Sequence, residues 1–458
     1  MSASTFTRAL VDSVRSLRYE EVSEEAREVG RQCLLDFLGC ALAGAREQPV
    51  EILVATVVRP ERSTEAALVG RTERASRLTA ALVNGTAGHA LDFDDTHTRM
   101  NGHPSAPVLP ALLALGEAED ADGRRVLAAL VAGVEFECRL GALLGGRHYE
   151  VGFHATGTIG TFGAAAASAH LLDLDEDAWL RAIGLAGTEA AGLKSAFGTM
   201  AKPLHAGRAA SAGLLAALLG GGGFTAAADV LETKQGFAET HAGTVPEPSA
   251  LEGLSGRFLI RETLFKYHAA CYLTHAAIEA ARRLREAHAV DPQAIEAVAV
   301  TVAPSLLGVC NIAEPRTGLE GKFSLRATTA LALLGEDTGA VATYSDAKMA
   351  ETSVVRLRDR VRVEVDRAFS PTRARVTVVA GGRRLEEEAD TGVPASDLAA
   401  QRRRLRAKFD ALAGSVLGPR QVGDLAEMAL GVDRLPSLRA LVRQLGGSAP
   451  ARAPARAG

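Results

Sequence analysis

The sequence predicts a mainly α protein of two domains, a large helical one and a smaller α+β one. The chain has 458 residues, and since a domain averages roughly 150 residues, more than one core is expected. Apolar residues recur at helical spacing through the first 265 residues, whereas β-branched residues mark the stretch from about 295 to 390. Helical spacing returns after Asp397.

The first part of the chain contains several predicted helices. Ser23 is a capping residue for a helix whose first turn carries Glu24 and Glu25, and Gly44 is a stop signal. Six further segments have the same apolar periodicity: 77–91, 106–117, 125–143, 158–172, 177–185 and 203–219. These segments are rich in Ala and Gly, so their backbones can approach closely. We therefore expect dense helix packing.

The period changes in the second part of the chain. Strands are predicted at 297–302, 361–365 and 375–379, and Gly381-Gly382 predicts a hairpin turn that leads into a strand at 383–389. A smaller α+β domain follows from these segments. The Gly, Pro, Ala and Arg of 446–458 predict a disordered tail.

Composition excludes some classes of function. A formal net charge of -4 without a dense Lys/Arg tract argues against a nucleic-acid surface. Five scattered cysteines without a C-x-x-C pair favour a reducing compartment. The N-terminus does not resemble a secretory signal, and its most apolar stretch is shorter than the roughly 20 residues of a membrane span. We expect a cytoplasmic protein that binds neither nucleic acid nor membrane.

Seven of the eleven histidines lie in four short segments, and the first of these also carries three carboxylates. Asp92, Asp94 and Asp95 repel one another when ionised, so at least one should have a raised pKa unless a cation lies close. Such a group suits general acid or base catalysis. A solvated acidic loop is the alternative, but the neighbouring His97 and His103 favour a function.

The second and third segments carry His154 and the group Lys202, His205 and Arg208. A lone histidine such as His154 is more often a packing residue than a catalyst. Pro203 fits the first position of a helix, which places the three cationic or titratable side chains of the third segment in its opening turns. A bound carboxylate would reverse their unfavourable interaction with the helix dipole. The alternative is that these side chains point into water.

The fourth segment runs from Lys266 to His275. On a helix, His268, Cys271 and His275 are three and four residues apart and share one face, a spacing that could hold zinc. A buried helix face with hydrogen-bonded histidines is the favoured interpretation, because no second group of ligands is evident.

Taken together, five blocks of the sequence resemble the MmgE/PrpD family, whose members include 2-methylcitrate dehydratase, cis-aconitate decarboxylase and iminodisuccinate epimerase. The blocks are ALDFDDTH with HPS, GFHATGTIGTFGAA, GTMAKPLHAGRAA, FKYHAACYLTH and GKFSL. The resemblance implies a helical domain built from 1–265 and 401–445, with an α+β lid at 266–400 inserted between them. It also implies a homodimer and a site between helical domain and lid that uses no metal or organic cofactor.

The resemblance also implies the site residues. Those that match the pocket of decarboxylase-like members, motif by motif, are Asp92, Thr96, His103, His154, Lys202, Lys266 and His275. We predict a catalytic role for Asp92, His103, His154, Lys202 and Lys266, and substrate binding by Thr96, His97, His205, Arg208 and His275. The loop between Thr96 and His103 is one residue longer than in those members. Ala327 stands where family members often have a pocket tyrosine.

We therefore expect a lyase that acts on a small polycarboxylic acid. Fixed cations hold the carboxylates, while Asp92 and one of His103 or His154 move protons. Dehydration of a 2-methylcitrate-like hydroxy acid is the first hypothesis, and decarboxylation or epimerisation of a related acid is the second. A metal-dependent hydrolase, resting on the aspartates and histidines of the first segment or on the fourth segment, and a non-catalytic helical scaffold are the alternatives.

Overall fold

The computed structural model describes residues 5–245, 247–254 and 256–446. The fold is mainly helical with a small sheet, as the sequence predicts. The chain divides into two compact units. The helical unit comprises residues 5–90, 94–263 and 397–446, and the sheet unit comprises 91–93 and 264–396. The predicted disordered tail lies, from residue 447 onward, outside the described residues.

The helical unit contains fourteen of the helices that the structure describes. They are α1 (Phe6–Arg15), α2 (Glu24–Gly44), α3 (Gln48–Leu53), α4 (Arg59–Glu61), α5 (Arg77–His89), α6 (Ser105–Ala118), α7 (Gly123–Glu150), α8 (Ala155–Leu171), α9 (Glu176–Glu189), α10 (Ala201–Gly221), α11 (Phe237–Ala242), α17 (Leu398–Ala413), α18 (Pro419–Leu430) and α19 (Arg439–Val442). Two short strands, β1 (Ala66–Ala67) and β2 (Arg74–Ala75), pair antiparallel. No described helix is both long and apolar enough to cross a membrane.

All seven predicted helices of this unit are confirmed. Ser23 caps α2, since its hydroxyl accepts the N–H of Ala26. One boundary is wrong: the helix predicted at 125–143 continues to Glu150, across a kink at Gly145, which has φ 65° and ψ -170°. The helix of the third segment also begins earlier than predicted: α10 starts at Ala201, two residues before Pro203.

Glycines allow the helices of this unit to pack closely, as expected. A Cβ on Gly207 of α10 would lie 2.1 Å from the carbonyl oxygen of Leu82 in α5. A Cβ on Gly213 would lie 2.5 Å from the carbonyl oxygen of Thr161 in α8. Both obstacles are backbone atoms that cannot turn away, so α10 holds its position only with glycine at these sites.

The sheet unit carries a four-stranded sheet in the order β4-β3-β5-β6. Its strands are β3 (Ile295–Val302), β4 (Val361–Val365), β5 (Arg373–Ala380) and β6 (Arg383–Asp390), and its helices are α12 (His275–His288), α13 (Gly318–Gly321), α14 (Leu325–Leu334), α15 (Asp346–Met349) and α16 (Thr352–Arg358). β3 pairs parallel with β4 and antiparallel with β5, which pairs antiparallel with β6. The predicted hairpin is confirmed, and its turn residues Gly381 and Gly382 have φ values of 55° and 73°.

The fourth segment does not form the predicted helix. α12 begins only at His275, whereas His268 and Cys271 precede it in irregular chain and a short turn. The prediction that His268, Cys271 and His275 share one helix face is therefore wrong. Hydrogen bonds to other parts of the unit hold this stretch: Ala269 N–H donates to the Thr338 carbonyl, and Cys271 N–H to that of Lys322.

Candidate functional site

Side chains from several helix ends of the helical unit meet in one group, which we call the histidine cluster. Its members are His89 at the end of α5, Asp94 and His103 in the loop before α6, His154 just before α8, and Lys202 and His205 in the first two turns of α10. The rings of His89 and His103 have centroids 4.6 Å apart, and those of His89 and His154 5.8 Å. Nδ1 of His154 lies 3.1 Å from Nδ1 of His205. The structure thus brings four predicted site residues together: His103, His154, Lys202 and His205.

Lys202 sets the electrostatics of one side of this cluster. Its side chain is buried, and its Nζ lies 5.6 Å from the ring centroid of Phe197. Burial and then the charge of Lys202 lower the pKa of His154 well below its ordinary value, and the same two causes lower the pKa of His205. Both imidazoles are therefore neutral near pH 7, and each keeps one nitrogen that can accept a proton.

The two aspartates in the loop before α6 have opposite shifts. Burial would raise the pKa of Asp94, but the facing His89 and His103 hold it well below its ordinary value. Burial, together with the charges of Asp36 and Asp94, raises the pKa of Asp95 to about 7. Asp95 fulfils the expectation that one carboxylate of this segment has a raised pKa. It is fully buried against Ser105, whose backbone N–H donates to Oδ1 at 3.2 Å.

A second group, the lysine cluster, lies within the sheet unit and consists of Asp92, Lys266 and Lys322. Nζ of Lys266 donates to the backbone oxygen of Asp92 at 2.6 Å and to its Oδ1 at 2.9 Å. Nζ of Lys322 donates to the carbonyl of Leu91 at 3.1 Å. Asp92 adopts a left-handed backbone with φ 52°, which is uncommon for a residue other than glycine. Two buried lysines therefore hold Asp92 and its neighbour in a fixed conformation.

His275 and its neighbours are packed into the sheet unit. His275 is buried, its Nε2 lies 3.3 Å from the carbonyl oxygen of Ala270, and burial followed by the charge of His268 lowers its pKa well below the ordinary value. His268 lies between Thr338, at 2.7 Å from its Nδ1, and Glu279, at 3.3 Å from its Nε2. Within the described chain, His268, Cys271 and His275 do not converge as metal ligands.

Two predicted substrate-binding residues have other partners. His97 is fully buried, with Nε2 2.9 Å from the Leu259 carbonyl oxygen and Nδ1 accepting the N–H of Arg99. Both ring nitrogens thus have hydrogen-bond partners within the helical unit, so these contacts do not favour substrate binding by His97, which stays a prediction. Arg208 is exposed, and its Nη2 lies 3.6 Å from Oε2 of Glu189.

A cavity of about 340 Å³ lies beside His205 and Arg208 in the helical unit, and Gly157, Thr161 and Glu189 also line it. The hydroxyl of Thr96 donates to the Gly102 carbonyl at 3.1 Å and fixes the loop before His103.

The comparisons with known proteins identify the family of the chain. Residues 8–248 match the model of the MmgE/PrpD N-terminal domain, and residues 268–433 match that of the MmgE/PrpD C-terminal domain. The chain belongs to the MmgE/PrpD family. A cis-aconitate decarboxylase of Aspergillus terreus is 26% identical over 96% of this chain and 95% of its own length. The human cis-aconitate decarboxylase is 28% identical over 64% of this chain and 62% of its own length. A cis-aconitate decarboxylase-like protein of Aspergillus oryzae is 29% identical over 61% of each chain. These similarities support a lyase-type function.

Three residues of this MmgE/PrpD chain were not among the predicted site residues, although Asp94 was considered as one of the carboxylates that could have a raised pKa. His89 and Asp94 complete the histidine cluster, and Lys322 completes the lysine cluster. Asp94 and Lys322 stand inside the blocks that carry the family resemblance, so the sequence contained a signal for both. His89 belongs to the first of the four histidine-bearing segments, and its pairing with Asp94 places it in the cluster.

The donor atoms of His89, Asp94 and His103 lie within 4.8 Å of one another, a spacing that a metal ion could bridge. However, Nδ1 of His103 lies 2.7 Å from the carbonyl oxygen of Asp95. A carbonyl oxygen only accepts hydrogen bonds, so this nitrogen carries a proton and cannot ligate a metal in this position. Nε2 of His103 is therefore the ring nitrogen that could exchange a proton or bind a ligand.

Proposed function

We propose that this MmgE/PrpD chain is a lyase that moves protons beside the carboxylates of a small polycarboxylic acid. Decarboxylation of an acid like cis-aconitate is the first candidate, because the similar curated proteins named above are cis-aconitate decarboxylases. Dehydration of a 2-methylcitrate-like acid, the first hypothesis from sequence, becomes the second. The observation that carries the proposal is the group of neutral imidazoles beside buried Lys202 in the histidine cluster.

The two kinds of group in the histidine cluster have different roles. Lys202 attracts a substrate carboxylate and stabilises the negative charge that develops next to it, an effect that is strong in a buried site. His103 and His154 exchange protons with the substrate, since each is buried or half-buried and has a nitrogen able to do so. His205 fixes the ring of His154 through their Nδ1 contact.

Each candidate reaction needs proton exchange with the substrate: one transfer in decarboxylation and two in dehydration. In decarboxylation, the bond between carbon and the leaving carboxylate breaks and its electron pair moves into the carbon framework. A histidine that has taken up a proton from solvent then supplies that proton to carbon. In dehydration, a base removes a proton next to a carboxylate, the carbon–oxygen bond breaks, and an acid protonates the departing hydroxide. The same imidazoles can serve either path.

We propose further that the lysine cluster acts on the same substrate. Asp92 and Asp94 are two residues apart in the chain. Lys266 and Lys322 supply additional positive charge for a substrate that carries several carboxylates, and Asp92 adds an acid–base group.

The test is a substrate panel with the purified protein. cis-Aconitate, citrate, 2-methylcitrate and iminodisuccinate are incubated separately in D₂O, and products are followed by mass spectrometry together with released CO₂. A decarboxylase releases CO₂ and adds one deuterium to carbon, whereas a dehydratase releases none. His103→Ala, expressed and purified in the same way as the wild-type protein, is the control for contaminating activity. If the wild-type protein converts none of the four acids, the polycarboxylate assignment is wrong.

A further inference from the structure

Asp94 is a buried charge with an unusual pair of partners. Both of its carboxylate oxygens lie 2.9 Å from Nδ1 of His89, and Oδ2 also lies 3.3 Å from Nδ1 of His103. The residue is fully buried, so its charge persists only because groups that donate hydrogen bonds face it. Two imidazoles therefore share one ionised carboxylate.

The partners of each ring fix its tautomer. A carboxylate only accepts hydrogen bonds, so Nδ1 of His89 carries the proton that it donates to Asp94. Nδ1 of His103 must carry a proton too, because it donates to the Asp95 carbonyl oxygen at 2.7 Å. In both rings the nitrogen with the lone pair is therefore Nε2.

His89 satisfies Asp94 without cancelling its charge. Burial lowers the pKa of His89 to about 4 in spite of Asp94, so the ring stays neutral near pH 7. Within the described part of the chain, its buried Nε2 has no hydrogen-bond partner, as expected for an unprotonated nitrogen in a packed site. The negative charge of Asp94 is consequently left to act on His103.

We propose that Asp94, with His89 as its hydrogen-bond donor, is a positioning residue for His103: together with the Asp95 carbonyl oxygen it faces Nδ1, so that Nε2 exchanges the proton, and its charge stabilises the imidazolium that forms during turnover. The proposal rests on the proposed function of the histidine cluster. It assigns roles to His89 and Asp94, which are not among the predicted site residues. An imidazole ring oriented by a carboxylate on its Nδ1 is a general device for proton transfer.

The kinetic test compares Asp94→Asn with the wild-type protein. Asn keeps the shape but removes the charge, so kcat should fall at least tenfold, while KM stays within about threefold because Asp94 does not touch the substrate. Asp122→Asn is the matched control: it exchanges the capping residue of α7 for an equally good cap and should keep wild-type kcat. Wild-type kcat in Asp94→Asn would overturn the proposal, and so would a rise in KM that accounts for the whole loss.

A spectroscopic test needs no substrate and no folded variant at Asp94. ¹⁵N NMR of the wild-type protein labelled at histidine reports which ring nitrogen is protonated, and His89→Gln and His103→Gln assign the signals. The proposal expects protonated Nδ1 in both rings, and unprotonated Nε2 in His89 near pH 7.5. The opposite tautomer in His103 overturns it even in an active enzyme. The expected tautomers in a protein that converts no acid would show that the proposed function fails while the ring positioning stands.

Discussion

At the residue scale, the loop before α6 shows how neighbours decide the chemistry of identical side chains. Asp94 and Asp95 are adjacent and equally buried, yet the pKa of one is lowered and that of the other is raised. Asp94 faces two imidazoles, whereas Asp95 faces the hydroxyl and N–H of Ser105 and two other carboxylates. The sequence predicted that one carboxylate would be shifted, but it could not say which one.

Removing the proposed proton-transfer and charge-stabilising groups should slow turnover. His103→Ala and Lys202→Ala should each lower kcat/KM at least tenfold, since a positioned acid–base group contributes about 10²- to 10⁴-fold. Steady-state kinetics with the preferred acid of the panel measures the effect. The matched controls are His288→Ala and Lys234→Ala, which change exposed residues. Wild-type rates in the first pair would remove those residues from the site.

The raised pKa of Asp95 should appear in the pH dependence of stability. Folded Asp95 keeps its proton up to about pH 7, whereas in the unfolded chain it loses it near pH 4. Its contribution is therefore present below pH 4 and lost as pH rises towards 7. Asp95→Asn has no proton to lose, so its stability relative to wild type should rise across this window by up to about 4 kcal/mol.

Urea unfolding at a series of pH values measures this difference through the fluorescence of Trp179, the single tryptophan of the chain, which is buried in α9. A difference between the two proteins that stays constant from pH 4.5 to 8 contradicts the assignment of the raised pKa to Asp95.

At the scale of elements, helices and strands followed local signals. The cap at Ser23, the apolar periodicity and the two turn glycines of the hairpin were each readable in the sequence, because they depend on residues close in the chain. The helix predicted for the fourth segment was wrong for the opposite reason. Its spacing fits a helix, but contacts with Thr338 and Lys322, more than fifty residues away, hold the backbone in another form.

The close approach of α10 to α5 gives a prediction for two glycines in helices of the same unit. Gly207→Ala would place a methyl group 2.1 Å from the Leu82 carbonyl oxygen and should destabilise the helical unit by at least about 2 kcal/mol. Gly423→Ala in α18 meets no atom within 4 Å and should stabilise it by about 0.5–1 kcal/mol, since alanine favours a helix. Urea unfolding followed by Trp179 fluorescence measures both. Equal effects of the two changes would show that α10 can move away.

At the scale of the whole molecule, the C-terminal helices complete the helical unit. Nζ of Lys408 in α17 lies 2.6 Å from Oδ1 of Asp36 in α2, and both side chains are almost fully buried. An ion pair of this kind is costly to break, because either partner alone would be an uncompensated buried charge.

The homodimer implied by the family resemblance stays a prediction, which sedimentation at micromolar concentration can decide.

A binding experiment tests whether the two clusters share one ligand. Propane-1,2,3-tricarboxylate has neither the double bond nor the hydroxyl that the two reactions need, so it is a non-reacting probe. Lys202→Ala in the helical unit and Lys266→Ala in the sheet unit should each weaken its binding about tenfold or more, as expected for hydrogen bonds to charged groups. Isothermal titration calorimetry measures the effect, with Lys234→Ala as the control. Unchanged binding in Lys266→Ala would assign the ligand to the histidine cluster alone.

The sequence by itself determined the mainly helical fold, the positions of seven helices of the helical unit and of the strands of the four-stranded sheet, and the family to which the chain belongs. These features depend on periodicity, caps, turn glycines and short blocks of residues, all of which are local. Only the tertiary structure decided that His89 and Asp94 join the histidine cluster, that Lys322 joins the lysine cluster, and that His97 has hydrogen-bond partners within the helical unit. Burial and electrostatic environment arise from segments distant in the chain, and they determine which of several similar side chains can exchange a proton.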